Sequence, residues 1–495
     1  MITLSVLTPD EIEAVHQATL RILSEVGIRL SQPEALKLLS GAGAGGKGHR
    51  MAKDGRVFLP PELVEWAVGQ CPPIVTLRGR GGQALTLGDG SLHWHNLGGA
   101  RDIYDPISDK VRPAAVRDVC DAARLLDALE SVTSITPFFT PQDVPGKVMS
   151  LAMYRHTLSN TTKPTHGPGV QTAAEVRLAA RMAEVVDCGD CGATLVRTRT
   201  SATHVVENTT LGEVLSLGIS PVSPLFYPND VVEAMMEAAR LGVTLSPLPC
   251  PTAGATAPLS LAGALAQQNA EVLASVVIAQ LVRPGLPMVY CGRLAMMEPR
   301  TGMSVWGGVE LGLVSAATVQ LAHRYHMPVN VYGLSTNSHS LDIQNGYERA
   351  LNAAIPALAG ADELSGIGEM QAGVAGSFAQ MVCDNEIAAS VKRLRRGFAV
   401  NEDALAVEVI ATVMAGSRNF LDQMHTVRYL RAGELYVTRL AARGSWEEWE
   451  RGGRLRMAEQ AQTQVEQILA QHQVPPLAPE QERELDEIMN VAAQG

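Results

Sequence analysis

Aromatic residues make up only 4% of this 495-residue chain, charged residues 18%, and cysteine occurs seven times. Cysteines that stand mostly alone in a chain this long exclude a disulfide framework and fit a reducing compartment, so a cytoplasmic location is expected. The one close pair, Cys188 and Cys191, has the spacing of half a zinc site without a second pair, and a structural or incidental role is expected for it. Positive charge is also in deficit: the formal net charge of −11 disfavours a broad nucleic-acid or anionic-membrane surface, and neither partner is expected. The residues Thr8 to Glu13 are already polar and acidic, so no export signal is expected. The most apolar stretch, 261 to 282, carries Gln267, Gln268, Asn269 and Glu271, which are costly in lipid, and is expected to be a buried helix. No Gly-x-Gly-x-x-Gly turn follows a predicted strand, and Gly-x-Ser-x-Gly and His-x-x-x-His are missing. These absences argue against a dinucleotide fold, a nucleophile elbow and a zinc-protease helix.

What is present is a hydrophobic share of 46%, enough for a large core. Thr8-Pro9-Asp10-Glu11 has a threonine cap, proline at the first helical position and glutamate three residues after the cap. With Ile12, Val15, Ile22, Leu23 and Val26 at helical spacing and Gly27 beyond, it predicts a helix over 9 to 26. A second helix at 61 to 68 and β-type fragments around 75 to 77 and 85 to 94 suggest a small α+β region over 1 to 125. From about Val132, short apolar runs alternate with amphipathic stretches. Strands are predicted at 132 to 139, 164 to 170, 202 to 208, 218 to 222, 243 to 249, 286 to 292, 328 to 333 and 363 to 367. Such βα repetition predicts an α/β fold with a TIM-type (β/α)8 barrel over 126 to 401. The remaining residues, 402 to 495, are charged and helical. Their last helix suits a packing arm, a contact in a homo-oligomer, or a solvated tail.

Several segments carry a resemblance. They are Thr252-Ala253-Gly254-Ala255-Thr256-Ala257-Pro258 continuing through Gln267-Gln268-Asn269-Ala270-Glu271, Ser220-Pro221-Val222-Ser223-Pro224-Leu225, Arg300-Thr301-Gly302, Gln344-Asn345-Gly346-Tyr347-Glu348 and Asp384-Asn385-Glu386-Ile387. In these the chain resembles the trimethylamine methyltransferase superfamily and its glycine-betaine-type relatives, from the first helix almost to the C-terminus. The resemblance implies a barrel whose C-terminal face receives the corrinoid domain of a partner protein, and methyl transfer from nitrogen to cobalt. In the trimethylamine enzymes a pyrrolysine stands in a loop placed loosely against Ser335 to Ser340, where this chain has ordinary residues. That departure points to the non-pyrrolysine relatives, whose substrates are quaternary amines such as glycine betaine, proline betaine and carnitine. The cobalamin would be carried by a corrinoid protein, or be free, since no Asp-x-His-x-x-Gly corrinoid-ligand motif is present.

A quaternary ammonium leaves as a neutral tertiary amine, so its methyl transfer to Co(I) asks for alignment and exclusion of water rather than a general acid or a metal. No metal and no acid or base residue is expected. Cation recognition favours aromatic faces. Trp94, Phe226, Tyr227, Tyr290, Trp306 and Tyr332 lie near predicted strand ends, and barrel geometry favours Tyr290, Trp306 and Tyr332, with core packing as the alternative. The cluster His93-Trp94-His95-Asn96-Leu97-Gly98-Gly99 places two histidines on one strand face. His93, His95 and Asn96 are therefore candidates for a substrate carboxylate, and Gly98 and Gly99 for close approach of a cofactor. His339 is a further carboxylate donor, and Glu207 and Glu369 could face the ammonium or pair with arginine. Arg300 could contact the corrinoid or hold its loop. A lysine Schiff-base or metal-dependent barrel lyase or aldolase, and a silent homologue that binds betaine or corrinoid protein without turnover, are the rival readings.

Overall fold

The computed structural model describes residues 2–41, 50–187, 210–416 and 418–494. Its first helix forms as the sequence predicts. Thr8 Oγ1 accepts from the Glu11 N–H at 3.3 Å while Glu11 accepts from the Thr8 N–H at 2.8 Å. The helix Pro9–Arg21 runs into a π-helical turn at Ile22–Val26. Gly27 then turns the chain at φ +77°, where a Cβ would lie 2.7 Å from the Val57 carbonyl oxygen.

The core is organised around parallel strands: β1 (His93–Asn96), β2 (Thr165–Gly167), β3 (Leu215–Leu217), β4 (Thr244–Leu245), β5 (Tyr290–Cys291), β6 (Val329–Tyr332) and β7 (Glu363–Ile367). β1 pairs with β7, β7 with β6 and β6 with β5, all in parallel. A parallel bridge from Met288 to Leu245 leads to β4, which pairs with β3, and β3 with β2. Thr165 bridges to Ile135, and the Thr133 N–H donates to the Trp94 carbonyl at 2.9 Å, which returns the ladder to β1. The parallel pairings therefore close on themselves, with the segment around Ile135 as the eighth stave. Helices alternate with the staves: Val116–Ala128, Met149–Ser159, Ala173–Asp187, Asn229–Leu241, Leu261–Val282, Val309–Arg324, Ile343–Ala359 and Phe378–Arg396. This is a mixed α/β fold.

The expected helix at 261 to 282 is long and apolar enough to cross a membrane by length and composition, yet it is buried against its neighbours. Its polar side chains have partners inside the protein. Asn269 donates to Tyr325 Oη at 2.7 Å and Gln268 to Thr318 Oγ1 at 3.1 Å, while Glu271 accepts from Ser223 Oγ at 2.7 Å and Leu225 N at 2.9 Å.

Two expectations need correction. His93–Asn96 was placed in an N-terminal α+β region but is a stave of the ring, and the helix following it, Val116–Ala128, also belongs to the alternating layer. The polar His-Trp-His-Asn pattern hid the strand's place in the ring because its inward side chains face a polar lumen. The strand predicted at 218 to 222 lies earlier, at Leu215–Leu217, and the one at 202 to 208 falls outside the described residues. The last helix, Pro479–Gln494, packs on the barrel-side helices: Leu485 is fully buried, and Arg155 of Met149–Ser159 pairs with its Glu482 and Asp486.

Candidate functional site

Side chains alternate along each stave, so neighbouring residues part ways between helix layer and lumen. Tyr290 goes outward: its hydroxyl donates to Asn269 Oδ1 at 2.8 Å and its ring stacks on Tyr325 at 6.2 Å. This aromatic, expected at the substrate, is a layer-packing residue. On β6, Asn330 and Tyr332 share the inward face, and a buried arginine just past β5 meets both. Arg293 donates from Nη1 to the Asn330 carbonyl at 2.9 Å and from Nη2 to Asn330 Oδ1, and its guanidinium lies 4.6 Å from the Tyr332 ring centroid. Trp306 meets the same tyrosine edge to face, with centroids 4.8 Å apart.

The loop after β6 sets this aromatic pair. Asn337 Oδ1 accepts from the backbone N–H groups of Trp306 at 2.7 Å and Gly307 at 2.8 Å. Glu348 in turn holds the loop, accepting from Thr336 Oγ1 at 2.6 Å and Asn337 N at 2.9 Å. Ser335 Oγ donates to Glu369 Oε1 at 2.6 Å, while Glu369 Oε2 is buried with no hydrogen-bond partner. Burial pushes the Glu369 carboxyl up to about 7, against the Ser335 hydrogen bond and the Arg349 charge. Its charge is also felt by Tyr332, whose phenol is held well above its ordinary range, chiefly by burial.

Deeper in the ring, His95 of β1, His166 of β2 and Glu363 of β7 converge, the two imidazole centroids being 4.6 Å apart. His166 Nε2 lies 3.2 Å from Glu363 Oε1, and Ser134 Oγ donates to the same oxygen at 2.6 Å. Asn330 Nδ2 donates to Glu363 Oε2 at 2.5 Å. Burial opposes ionisation of Glu363, but the facing His166 and the hydrogen bonds from His166 and Ser134 outweigh it and hold the carboxyl well below its usual range. Burial pushes His95 down to about 3 despite the Glu363 charge, so its imidazole is neutral near pH 7. The sequence reading sought metal ligands at short spacing and expected none; the closed ring brings these three together from staves far apart in the chain.

The other predicted residues are not drawn into the lumen. His93 turns away, its Nε2 lying 3.1 Å from the Thr86 carbonyl oxygen. Asn96 is a clamp between staves: Nδ2 donates to the Thr136 carbonyl at 2.6 Å and Oδ1 accepts from Thr136 N at 3.0 Å. Gly98 is required by packing, since a Cβ there would lie 2.4 Å from Thr136 Cγ2, and Gly99 turns the chain at φ +85°. His339 is exposed, and Arg300 sits exposed at a hairpin tip with its Nε 2.7 Å from Glu298 Oε1. Trp94 is buried, Phe226 lies on an outer strand, and Tyr227 is buried beside Ser275. Glu207, Cys188 and Cys191 lie outside the described residues. Lys163 faces away from the lumen, donating to the carbonyls of Leu126 at 2.9 Å and Leu129 at 2.8 Å, and offers no Schiff-base nitrogen there. Sequence reasoning missed His166, Arg293, Asn330 and Glu363. Their signal was a polar residue inside, or just beyond, an otherwise apolar predicted strand.

The Trp306, Tyr332 and Glu369 group and the buried His95, His166 and Glu363 cluster together make the candidate site of this α/β protein. The chain belongs to the family described as trimethylamine methyltransferase (MTTB), which it matches over residues 1–493. It is 30% identical to the trimethylamine methyltransferase MttB of Desulfitobacterium hafniense (strain DSM 10664 / DCB-2), over 94% of this chain and 90% of that protein. It is 29% identical to the glycine betaine methyltransferase of Desulfitobacterium hafniense (strain Y51), over 96% of this chain and 94% of that one. Among solved structures it is similar to the Methanosarcina barkeri monomethylamine methyltransferase (MtmB), with TM-score 0.47 and 12% identity, over 98% and 92% of the two chains.

Proposed function

We propose that this protein moves a methyl group from a small quaternary amine, glycine betaine or a related betaine, to Co(I) of a corrinoid carried by a separate protein or free in solution. The fold is read as a TIM-type (β/α)8 barrel, because eight parallel staves alternate with helices and close into a ring. The observation that carries the substrate reading is the Trp306 and Tyr332 ring pair beside Glu369, a buried carboxylate with one oxygen unpartnered. A buried acceptor left unsatisfied is costly, and a cation placed there relieves that cost while the rings supply cation–π attraction. Arg293, stacked on Tyr332, supplies the opposite charge for the carboxylate end of a betaine.

The loop compared with the pyrrolysine position gives independent support for a non-pyrrolysine chemistry. Here Ser335 holds Glu369 and Asn337 holds Trp306, so its side chains are spent on positioning the cation site. The Co(I) acceptor brings the electron pair that forms the carbon–cobalt bond. The carbon–nitrogen pair stays with the departing tertiary amine, which leaves neutral and needs no proton. This chain's residues then have to orient one N-methyl group and exclude water.

Replacing Trp306 or Tyr332 with alanine is expected to weaken glycine betaine by about 1 kcal/mol, roughly fivefold. Binding of tert-butylacetate, in which carbon replaces the ammonium nitrogen, is expected to change much less. Calorimetric titration of both ligands checks this, and equal weakening of the two would mean that the rings only pack the barrel.

A further inference from the structure

We propose that His95, His166 and Glu363 form a binding site for a divalent transition metal of the zinc class. The three offer ligand atoms that all lie within 4.8 Å of one another, and all three side chains are buried. In tetrahedral zinc coordination, neighbouring ligand atoms stand about 3.3 Å apart. His166 Nε2 and Glu363 Oε1 already stand at 3.2 Å. Two imidazoles and one carboxylate suit zinc and its first-row neighbours rather than calcium or magnesium, which prefer oxygen alone.

The surrounding hydrogen bonds select the imidazole tautomer a metal needs. Arg293 donates to Asn330 Oδ1, which fixes the amide so that its nitrogen faces the cluster. That nitrogen has two hydrogens: one goes to Glu363 Oε2 at 2.5 Å and the other to His95 Nε2 at 2.9 Å. His95 Nε2 therefore carries a lone pair, which accepts the Asn330 N–H until an ion displaces it, and its proton sits on Nδ1, facing Thr136 Oγ1 at 3.2 Å. A ligand histidine oriented through its second nitrogen is the usual supporting arrangement at metal sites. His166 Nε2 lies 3.2 Å from Glu363 Oε1 and 3.0 Å from Ser134 Oγ, so an ion would take the place of the hydrogen shared there. Two histidines and a carboxylate leave at least one coordination position for a ligand that is not protein.

This inference does not depend on the amine reading, and metal uptake tests it without turnover. The full-length protein is stripped with a chelator, dialysed and titrated with Co(II) while its visible absorption is followed, and zinc in the protein as isolated is measured by elemental analysis. One equivalent of saturable Co(II), displaced by zinc, is expected for the parent. His95→Ala and Glu363→Gln are expected to lose that uptake. His93→Ala, on the same strand but outside the cluster, is expected to keep it. If His95→Ala does not fold by circular dichroism, His166→Gln serves in its place. Absence of saturable uptake in the parent, or equal uptake in folded cluster variants, would overturn the site.

Discussion

Glu369→Gln is expected to weaken glycine betaine binding by about 2 kcal/mol or more, roughly 30-fold, the usual cost of removing one partner of a buried charge pair. The side chain keeps its size, so the Ser335 contact at 2.6 Å has an acceptor in the variant as well. What is lost is the negative charge. The pH dependence follows from burial, which pushes this carboxyl up to about 7. Only the ionised form attracts an ammonium, so affinity in the parent rises as pH climbs through about 7 and falls roughly tenfold per unit below it. Bound cation favours the ionised carboxylate, so the apparent pKa moves down on binding. In Glu369→Gln the profile is expected to be flat across the same window. Titration calorimetry from pH 5.5 to 8.5, on the order of one unit either side of neutrality or slightly more, reads both effects. Unchanged affinity with an unchanged profile would remove Glu369 from the site.

Arg349→Met is expected to destabilise the fold by about 3 to 5 kcal/mol, because it leaves the Asp384 carboxyl buried without its partner. Both side chains are fully buried, and Arg349 Nη1 donates to Asp384 Oδ2 at 2.9 Å and to the Leu334 carbonyl at 2.8 Å. Nη2 donates to the carbonyl of Glu369, and Asp384 Oδ2 also accepts from Gly368 N at 2.7 Å. The pair thus ties the helices Ile343–Ala359 and Phe378–Arg396 to the turn that carries Glu369. Thermal unfolding is expected to show a large drop for the single variant and partial recovery in Arg349→Met combined with Asp384→Leu, which removes the stranded carboxyl. A single variant as stable as the parent would mean that the pair contributes nothing to holding that turn.

The alternation of staves and helices was legible in the sequence because the helices are amphipathic or apolar and the strands between them short and apolar. Tyr332 and Glu369 stood out as well, since they end or follow predicted strands, and Trp306 as one of few aromatics. The lumen was not. Its lining is polar, so hydrophobic periodicity marks the outward face of each stave and leaves the inward face unread. That is why His166 and Glu363 passed as ordinary strand residues and why His93–Asn96 was assigned to a separate region. Facing is also a matter of parity: Tyr290 and Cys291 are adjacent, and only the pairing of Tyr290 with Val329 and Cys291 with Asn330 places the tyrosine outside. Gly98 and Gly99 drew attention as a flexible pair, but the close approach of Thr136 to Gly98 explains the first and the positive φ the second.

The central claim is a methyl transfer that needs a cobalt acceptor. It is tested most directly by mixing the protein anaerobically with glycine betaine and cobalamin reduced to Co(I), following the cobalt spectrum while dimethylglycine is quantified. The account predicts loss of Co(I) and gain of methyl-Co(III) in equal amount to the dimethylglycine formed, with none formed when the cobalamin is omitted or left oxidised. Demethylation that proceeds without cobalt would contradict it, as would the failure of every betaine tried to methylate Co(I), whether free or carried by a corrinoid protein.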